Sequence, residues 1–106
     1  MLGKIPRLKM RPDAEGGSIE AGQLYPVSIE GVLGFTIENP DLSADLYVEM
    51  STRRTDLIKI VRTDVRTFGS EDYTLYTGKI WLHCLDSDGN PTNGKFVIIK
   101  KIPVED

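Results

Sequence analysis

The most reactive side chains in this sequence are its single histidine and its single cysteine, which are neighbours as His83 and Cys84. Both lie in an apolar run that predicts a β-strand. Successive side chains of a strand point to opposite faces, so these two cannot act on each other as nucleophile and base. One histidine and one cysteine also fall short of the four ligands of a zinc site. We therefore expect His83 and Cys84 to be strand residues within the core or at its margin, without a catalytic or metal-binding role.

The loop after this run carries oxygen-bearing side chains at alternate positions, at Asp86, Asp88 and Asn90. This spacing resembles the start of a calcium-binding loop. Pro91, however, occupies the position where such a loop requires glycine, and Val97 stands where its bidentate glutamate would fall. Because Asp and Asn also favour turns through their own local hydrogen bonds, the sequence predicts a turn and no metal site.

The pair Glu71 and Asp72 consists of neighbours in the chain, whereas general acid–base catalysis needs two carboxylates that face each other across a cleft. The sequence contains no glycine-rich phosphate loop, no Gly-x-Ser-x-Gly motif and no set of triad residues. It thus predicts that the protein is not an enzyme and uses no cofactor.

The charges are separated into blocks, although the formal net charge is only −3 and the pI is near 5.1. Residues 1–12 contain basic side chains and no acidic ones, whereas residues 13–50 contain acidic side chains and no Lys or Arg. Such a layout is electrically self-complementary. It suits head-to-tail docking of copies, or capture of an acidic partner.

A second basic cluster supports an alternative function. Arg53, Arg54, Arg62 and Arg66 could line a strand surface beside aromatic side chains, as in barrels that bind single-stranded nucleic acid. The acidic pI opposes this function, because the acidic block would repel phosphate. Nucleic acid is accordingly the disfavoured partner.

Runs rich in β-branched and aromatic residues recur at short spacing with turn signals between them, which is typical of a small antiparallel sandwich or partly open barrel. The clearest runs flank the turn-rich stretch after Cys84, and they predict an antiparallel hairpin from Gly78 to Pro103. Trp81 lies in the densest run and is expected to be buried. In the run from Leu57 to Phe68, the alternation of apolar and polar residues shifts by one position near Val61. This shift indicates either a strand covered on both faces or a bulge. We expect an all-β fold of roughly six or seven strands.

The predicted core consists of the inward-facing apolar residues of these runs. They are Val27, Ile29, Phe35, Ile37, Tyr47, Val48, Leu57, Ile60, Ile80, Leu82, Cys84, Phe96, Ile98 and Ile102.

Residues 1–22 are rich in proline and glycine and show no sustained periodicity, so we expect an extended N-terminal arm and linker before a single β domain at 23–106. The arm should dock on a protein partner or on another copy of the chain. The residues expected to make this contact are Leu2, Lys4, Ile5, Arg7, Lys9 and Arg11.

The predicted function is that of a non-enzymatic structural or protein-interaction module, a subunit of a larger, virion-type assembly. No apolar segment approaches the about 18 residues that would cross a bilayer, and the first residues lack the apolar core of a secretory signal. We therefore expect a protein that is cytoplasmic or assembled in the cytoplasm, is not secreted, and has no membrane partner.

Overall fold

The structure is a computed structural model and describes residues 9–50, 57–69 and 76–104. Within these residues the chain forms eight strands and no helix. The described residues therefore contain no helix that could cross a bilayer. The predicted all-β class is confirmed. The strands are β1 (Lys9–Ile19), β2 (Tyr25–Ser28), β3 (Gly34–Glu38), β4 (Asp45–Glu49), β5 (Leu57–Ile60), β6 (Val65–Gly69), β7 (Lys79–Leu85) and β8 (Gly94–Val104).

The eight strands form two antiparallel sheets that pack face to face as a sandwich. Sheet A has the order β1-β8-β3-β6, and sheet B has the order β2-β7-β4-β5. The first strand pairs with the eighth, the second with the seventh, the third with the sixth and the fourth with the fifth. Two further pairings, β3 with β8 and β4 with β7, complete the sheets. This is the connectivity of a jelly roll, in which a chain folded back on itself is rolled into two sheets.

Residues 9–19 of the expected arm and linker belong to sheet A, and residues 20–22 form a turn after it. β1 pairs with β8 without a break from Lys9, opposite Val104, to Ile19, opposite Gly94. An edge strand tolerates the proline and glycines of this segment, because one side of its backbone needs no partner. Residues 1–8 lie outside the described residues, and the arm there stays a prediction.

β7 and β8 do not pair with each other, so the prediction of a hairpin from Gly78 to Pro103 is wrong. β7 lies between β2 and β4 in sheet B, while β8 lies between β1 and β3 in sheet A. The predicted turn is present, since the Asp86 N–H donates to the Asn90 carbonyl at 2.9 Å. The residues after it carry the chain to the other sheet. Apolar runs on either side of a turn indicate two strands but do not show that they pair.

A turn at 61–64 divides the long run that begins at Leu57, so neither a strand covered on both faces nor a bulge explains its change of parity. The Asp64 N–H donates to the Val61 carbonyl at 3.0 Å, and Thr63 adopts a φ of 65°. A left-handed backbone is unfavourable for a β-branched residue, so other contacts must hold this turn. The turn moves the chain from β5 in sheet B to β6 in sheet A.

The core lies between the sheets, and the alternation along β7 shows how the sequence forms it. Ile80, Leu82 and Cys84 are buried, whereas Trp81 and His83 are partly buried on the opposite face. The expectation that Trp81 is buried is therefore wrong, because its position in the strand turns it outwards and leaves it partly exposed.

Most of the predicted core is buried, with three exceptions. Tyr47 and Ile102 are only partly buried, and Leu57 is 48% exposed. Tyr47 and Leu57 lie on the outer face of sheet B, opposite His83 and Glu49 respectively. The buried apolar residues that were not predicted are Ile19, Val32, Leu33, Ala44, Leu46 and Phe68.

Asn39, which is 1% exposed, is the polar residue that joins the two sheets at one end of the sandwich. Its backbone N–H donates to the Asp64 carbonyl at 2.9 Å. Its side-chain amide donates to the carbonyls of Ala44 at 2.8 Å and Ile60 at 3.1 Å, and its side-chain oxygen accepts the Asp41 N–H at 3.1 Å. One buried residue thus satisfies groups from two of the crossovers between the sheets, the one after β3 and the one after β5.

Replacing Asn39 by alanine should lower the free energy of unfolding by about 3 kcal/mol, because two buried carbonyls would lose their donors. Chemical denaturation measures this change. Asn93→Ala is the matched control, since Asn93 accepts a hydrogen bond from Ala21 in an exposed setting and should cost less than about 1 kcal/mol. Equal losses in the two variants would show that Asn39 does not hold the crossovers.

Candidate functional site

β1 is an edge strand of eleven residues and is open to solvent along almost its whole length. Residues 10–18 are all exposed, and only Ile19 at its end is buried. A long edge strand presents a row of unpaired backbone groups to which another chain can add a strand. This makes β1 the first candidate for a functional surface.

The direction of the backbone groups in β1 follows from its neighbours. The Lys101 carbonyl accepts the Leu33 N–H at 3.0 Å, so the backbone groups of Lys101 point towards β3. Lys101 lies opposite Pro12 in β1. Because the backbone groups of Lys101 face β3, Pro12 and Lys101 form a non-hydrogen-bonded pair of the antiparallel β1–β8 ladder. The backbone nitrogen of Pro12 therefore faces solvent. By alternation, Ala14, Gly16 and Ser18 also direct their N–H and C=O groups outwards.

This outer edge has a protected half and an open half. Pro12 offers no N–H, and proline on an edge strand hinders the addition of a further strand. Ala14, Gly16 and Ser18 carry small side chains and complete sets of backbone groups. Gly16 must be glycine, because a Cβ there would lie 2.9 Å from the carbonyl oxygen of Phe96. The open half of the β1 edge is thus the stretch from Ala14 to Ser18.

On the outer face of sheet A, a row of uncharged side chains runs across the sheet from this edge. Ala14 lies opposite Ile99, which lies opposite Thr36, and Thr36 lies opposite Thr67. The two threonine hydroxyls are 3.3 Å apart. On the other face of β1, Glu15 forms an ion pair with Lys100 at 3.0 Å, which anchors the strand to β8.

The outer face of sheet B has a different character, because aromatic and acidic side chains alternate on it. Tyr47 stacks on His83, with ring centroids 5.2 Å apart and planes 10° apart. Trp81 lies opposite Glu49 in the same sheet. Although these residues point away from the core, Glu49 is only 9% exposed, because its neighbours cover it.

A pocket of about 290 Å³ opens on this face beside the start of β2. Glu49, His83 and Leu85 line it together with Gln23, Leu24 and Pro91. The Nδ1 atom of His83 is buried without a hydrogen-bond partner, 3.9 Å from Oε1 of Glu49. Burial lowers the pKa of His83 below its ordinary value of 6.5, and the Glu49 carboxylate opposes this shift. The imidazole is consequently neutral at neutral pH.

Cys84 does not suit nucleophilic chemistry. Its side chain is buried in the core, and burial raises the pKa of the thiol to about 11, with a further contribution from the charge of Asp41. At neutral pH the group is a thiol and not the reactive thiolate. Among the described residues, no three His, Cys, Asp or Glu side chains gather in a cluster that could hold a metal ion.

The structure brings few of the predicted site residues together. Lys9 and Arg11 lie in β1, where Arg11 is exposed and opposite Ile102. Arg66 lies in β6 of sheet A, opposite Ile37. Several predicted residues lie outside the described residues, namely Leu2, Lys4, Ile5, Arg7, Arg53 and Arg54.

Arg62, the remaining residue of the second basic cluster, is held by Asp45. Asp45 accepts the backbone N–H of Arg62 at 3.1 Å and contacts its guanidinium at 3.4 Å, while Lys59 lies 3.6 Å away. The hydrogen bond from the Arg62 side chain lowers the pKa of Asp45, against the opposing effect of burial. The charge of Arg62 is thus matched inside the chain.

Sequence reasoning missed the acidic and aromatic face of sheet B. Its signal was the alternation of Asp45, Tyr47 and Glu49 in one run and of Trp81 and His83 in another. Each set has a period of two and so lies on one face of its strand. That the two strands are neighbours could not be read from the sequence, because β4 and β7 are far apart in the chain.

Comparisons of the chain with protein-family models, curated proteins and solved structures found no match.

The protein should lose stability as the pH falls from neutral through the ordinary histidine pKa of 6.5 and below it, because the pKa of His83 is lowered in the folded state. The unfolded chain binds the proton of His83 more readily than the folded chain does. The stability that the neutral imidazole contributes is therefore present above the pKa of the unfolded state and is lost as the pH falls through the pKa of the folded state. Among described residues, Glu49 and Tyr47 of β4 are the titratable neighbours that face the imidazole.

Urea denaturation across this pH range measures the effect. His83→Phe keeps a ring against Tyr47 and should flatten the pH dependence, whereas Tyr47→Phe should retain it. An unchanged slope in His83→Phe would contradict the assignment to His83.

Proposed function

We propose that this chain is a non-enzymatic interaction module that assembles with a second copy of itself through the open half of the β1 edge. The single observation that supports this most strongly is the row of outward backbone groups on Ala14, Gly16 and Ser18, in a strand whose residues 10–18 are exposed. Main-chain hydrogen bonds provide affinity when a strand is added to a sheet edge, and small side chains let the two backbones approach.

Proline and charge together determine the register of such a pair. In an antiparallel pair of β1 strands centred on Pro12, Arg11 of one copy would lie opposite Asp13 of the other, which is favourable. The two Pro12 residues would also lie opposite each other, and neither has an N–H to donate. A pair centred on Gly16 places Ala14 opposite Ser18 of the second copy. No proline then lies in the paired stretch, and no like charges are directly opposite each other.

A second copy suits this edge better than an unrelated chain, because the paired stretch is complementary to itself. On both sides of the two-fold axis, the small side chain of Ala14 in one copy lies opposite the small side chain of Ser18 in the other. Two-fold pairing of a strand with its own copy also gives a closed dimer and not an open filament. The charge of Glu15, which would come near its symmetry mate, is already matched by Lys100. The resulting sheet would run through both sandwiches.

Larger assemblies extend the same proposal. Jelly-roll sandwiches serve in viral capsids and in lectins, which supports a virion-type assembly by analogy of fold alone. The contribution of Leu2, Lys4, Ile5 and Arg7 to docking stays a prediction. The alternative of nucleic-acid binding is weakened, since Asp45 already matches the charge of Arg62.

Light scattering over a range of concentrations tests the edge. We expect the wild-type chain to form a dimer with a dissociation constant of about 0.1 mM, because strand addition buries a small area. Ala14→Pro removes an outward N–H from the open half and should weaken association about tenfold or more.

Met10→Pro is the matched control. Met10 also points its N–H outwards, but it lies in the half that Pro12 already protects, so this variant should assemble as the wild type does. Neither substitution touches the hydrogen bonds between β1 and β8, so both variants should keep similar melting temperatures. A wild-type chain that stays monomeric to about 1 mM, or equal association of all three proteins, would contradict the proposal.

A further inference from the structure

The pocket on sheet B lies where β7 extends past its neighbour. Tyr25, the first residue of β2, pairs with Leu82, so β7 has no β2 partner beyond that point. The gap is bordered by Gln23 and Leu24 on one side and by Pro91 on the other. It is a defined cavity at the end of a short strand, and it is separate from the β1 edge.

The pocket contains a carboxylate without a matching cation among the described residues. The side chain of Glu49 is 11% exposed, and the one group of opposite potential charge within 4.0 Å of it in residues 9–50, 57–69 and 76–104 is the imidazole of His83. That imidazole is neutral at neutral pH, so it does not balance the charge. A carboxylate that is largely removed from water without a partner is costly, and a cation that reached it would be favoured.

The walls and the size of the pocket restrict what this cation can be. Leu24, Leu85 and Pro91 are apolar, and a volume of about 290 Å³ lies at the lower end of ligand pockets. An aliphatic chain that ends in an ammonium group matches both features. A hydroxyl group could donate a hydrogen bond to Glu49 but would leave its charge unmatched.

We propose that the pocket formed by Gln23, Leu24, Glu49, His83, Leu85 and Pro91 binds a primary ammonium group on an aliphatic chain, such as a lysine side chain, with Glu49 as the counter-ion. The apolar walls hold the methylene groups, as they do wherever lysine packs its chain along apolar surface. The ammonium donates charge-assisted hydrogen bonds to the carboxylate.

Protonation of His83 opposes this binding. An imidazolium 3.9 Å from Glu49 would itself balance the carboxylate, so a proton on His83 and an ammonium in the pocket compete. By linkage, the ligand must raise the acid dissociation constant of His83, and so lower its pKa, with a factor equal to the one by which protonation weakens binding. Glu49 and Tyr47 are the titratable groups that face the ring among the described residues, the Cys84 thiol lies on the opposite, inner face of β7, and Gln23, Leu24 and Pro91 add none.

Nuclear magnetic resonance of the His83 ring tests the proposal directly, because His83 is the sole histidine and gives one imidazole signal. The probe is N-acetyl-lysine-methylamide, titrated into the full chain at pH 7.5. We expect a saturable shift with a dissociation constant on the order of 1 mM, as befits a ligand of this size. Binding should weaken as the pH is lowered through the titration of His83.

Two ligand controls separate the contributions of charge and shape. N-acetyl-norleucine-methylamide has a similar chain without the ammonium and should give no saturable shift. Methyl α-glucoside, which offers only hydroxyl groups, should give none either. Equal binding of the norleucine compound would show an apolar pocket only, and tighter binding of the glucoside would show a hydroxyl site. Either result would overturn the proposal.

Two sets of protein variants complete the test. Glu49→Gln should weaken binding about tenfold or more, because a charge-assisted contact is lost. If this variant does not fold, Leu24→Lys takes its place, since Leu24 is 42% exposed and a lysine there would compete for Glu49. Leu42→Lys, at a position that is 80% exposed, is its control and should bind as the wild type does. No saturable shift in the wild type up to about 50 mM, or full binding by Glu49→Gln, would overturn the proposal.

Discussion

The buried amide of Asn39 is the interaction on which this sandwich depends. The chain crosses from sheet A to sheet B after β3 and back again after β5, and Asn39 makes hydrogen bonds at both places. At these two crossovers the Asn39 side chain, with two donors and one acceptor, satisfies the carbonyls of Ala44 and Ile60 and the N–H of Asp41. The second of these crossovers is the turn that contains Thr63, with its φ of 65°, and Asn39 bonds to the carbonyls of Ile60 and Asp64 on either side of it.

Once the crossovers are fixed, the rolled connectivity decides which strands remain at the edges. The central strands β8, β3, β7 and β4 are paired on both sides, and β1, β6, β2 and β5 form the edges. β2, β5 and β6 are short, whereas β1 has eleven residues. Its length and its small outward residues make β1 the edge best suited to another strand, and Pro12 limits where that strand can lie. The short β2, in turn, leaves the pocket beside Glu49.

The sequence predicted the strands better than their partners. The predicted core contained the buried residues Ile80, Leu82 and Cys84 of β7 and Phe96 and Ile98 of β8. The hairpin between β7 and β8 was wrong because periodicity reports which face a side chain occupies and not which sheet the strand joins. β1 was interpreted as arm and linker because Gly16, Gly17 and Pro12 disfavour a strand locally, and only its position at an edge makes them acceptable. The pocket depended on pairing between distant strands, which no local pattern contains.

The open edge can be tested most directly by amide hydrogen exchange at single residues of β1, at low and at high protein concentration. We expect Asp13, Glu15 and Gly17, whose N–H groups point to β8, to be protected at both concentrations. Ala14, Gly16 and Ser18 should exchange freely at low concentration and become protected as copies associate. Protection of all six amides at low concentration, or free exchange of Ala14, Gly16 and Ser18 at every concentration, would contradict assembly through the open half of the β1 edge.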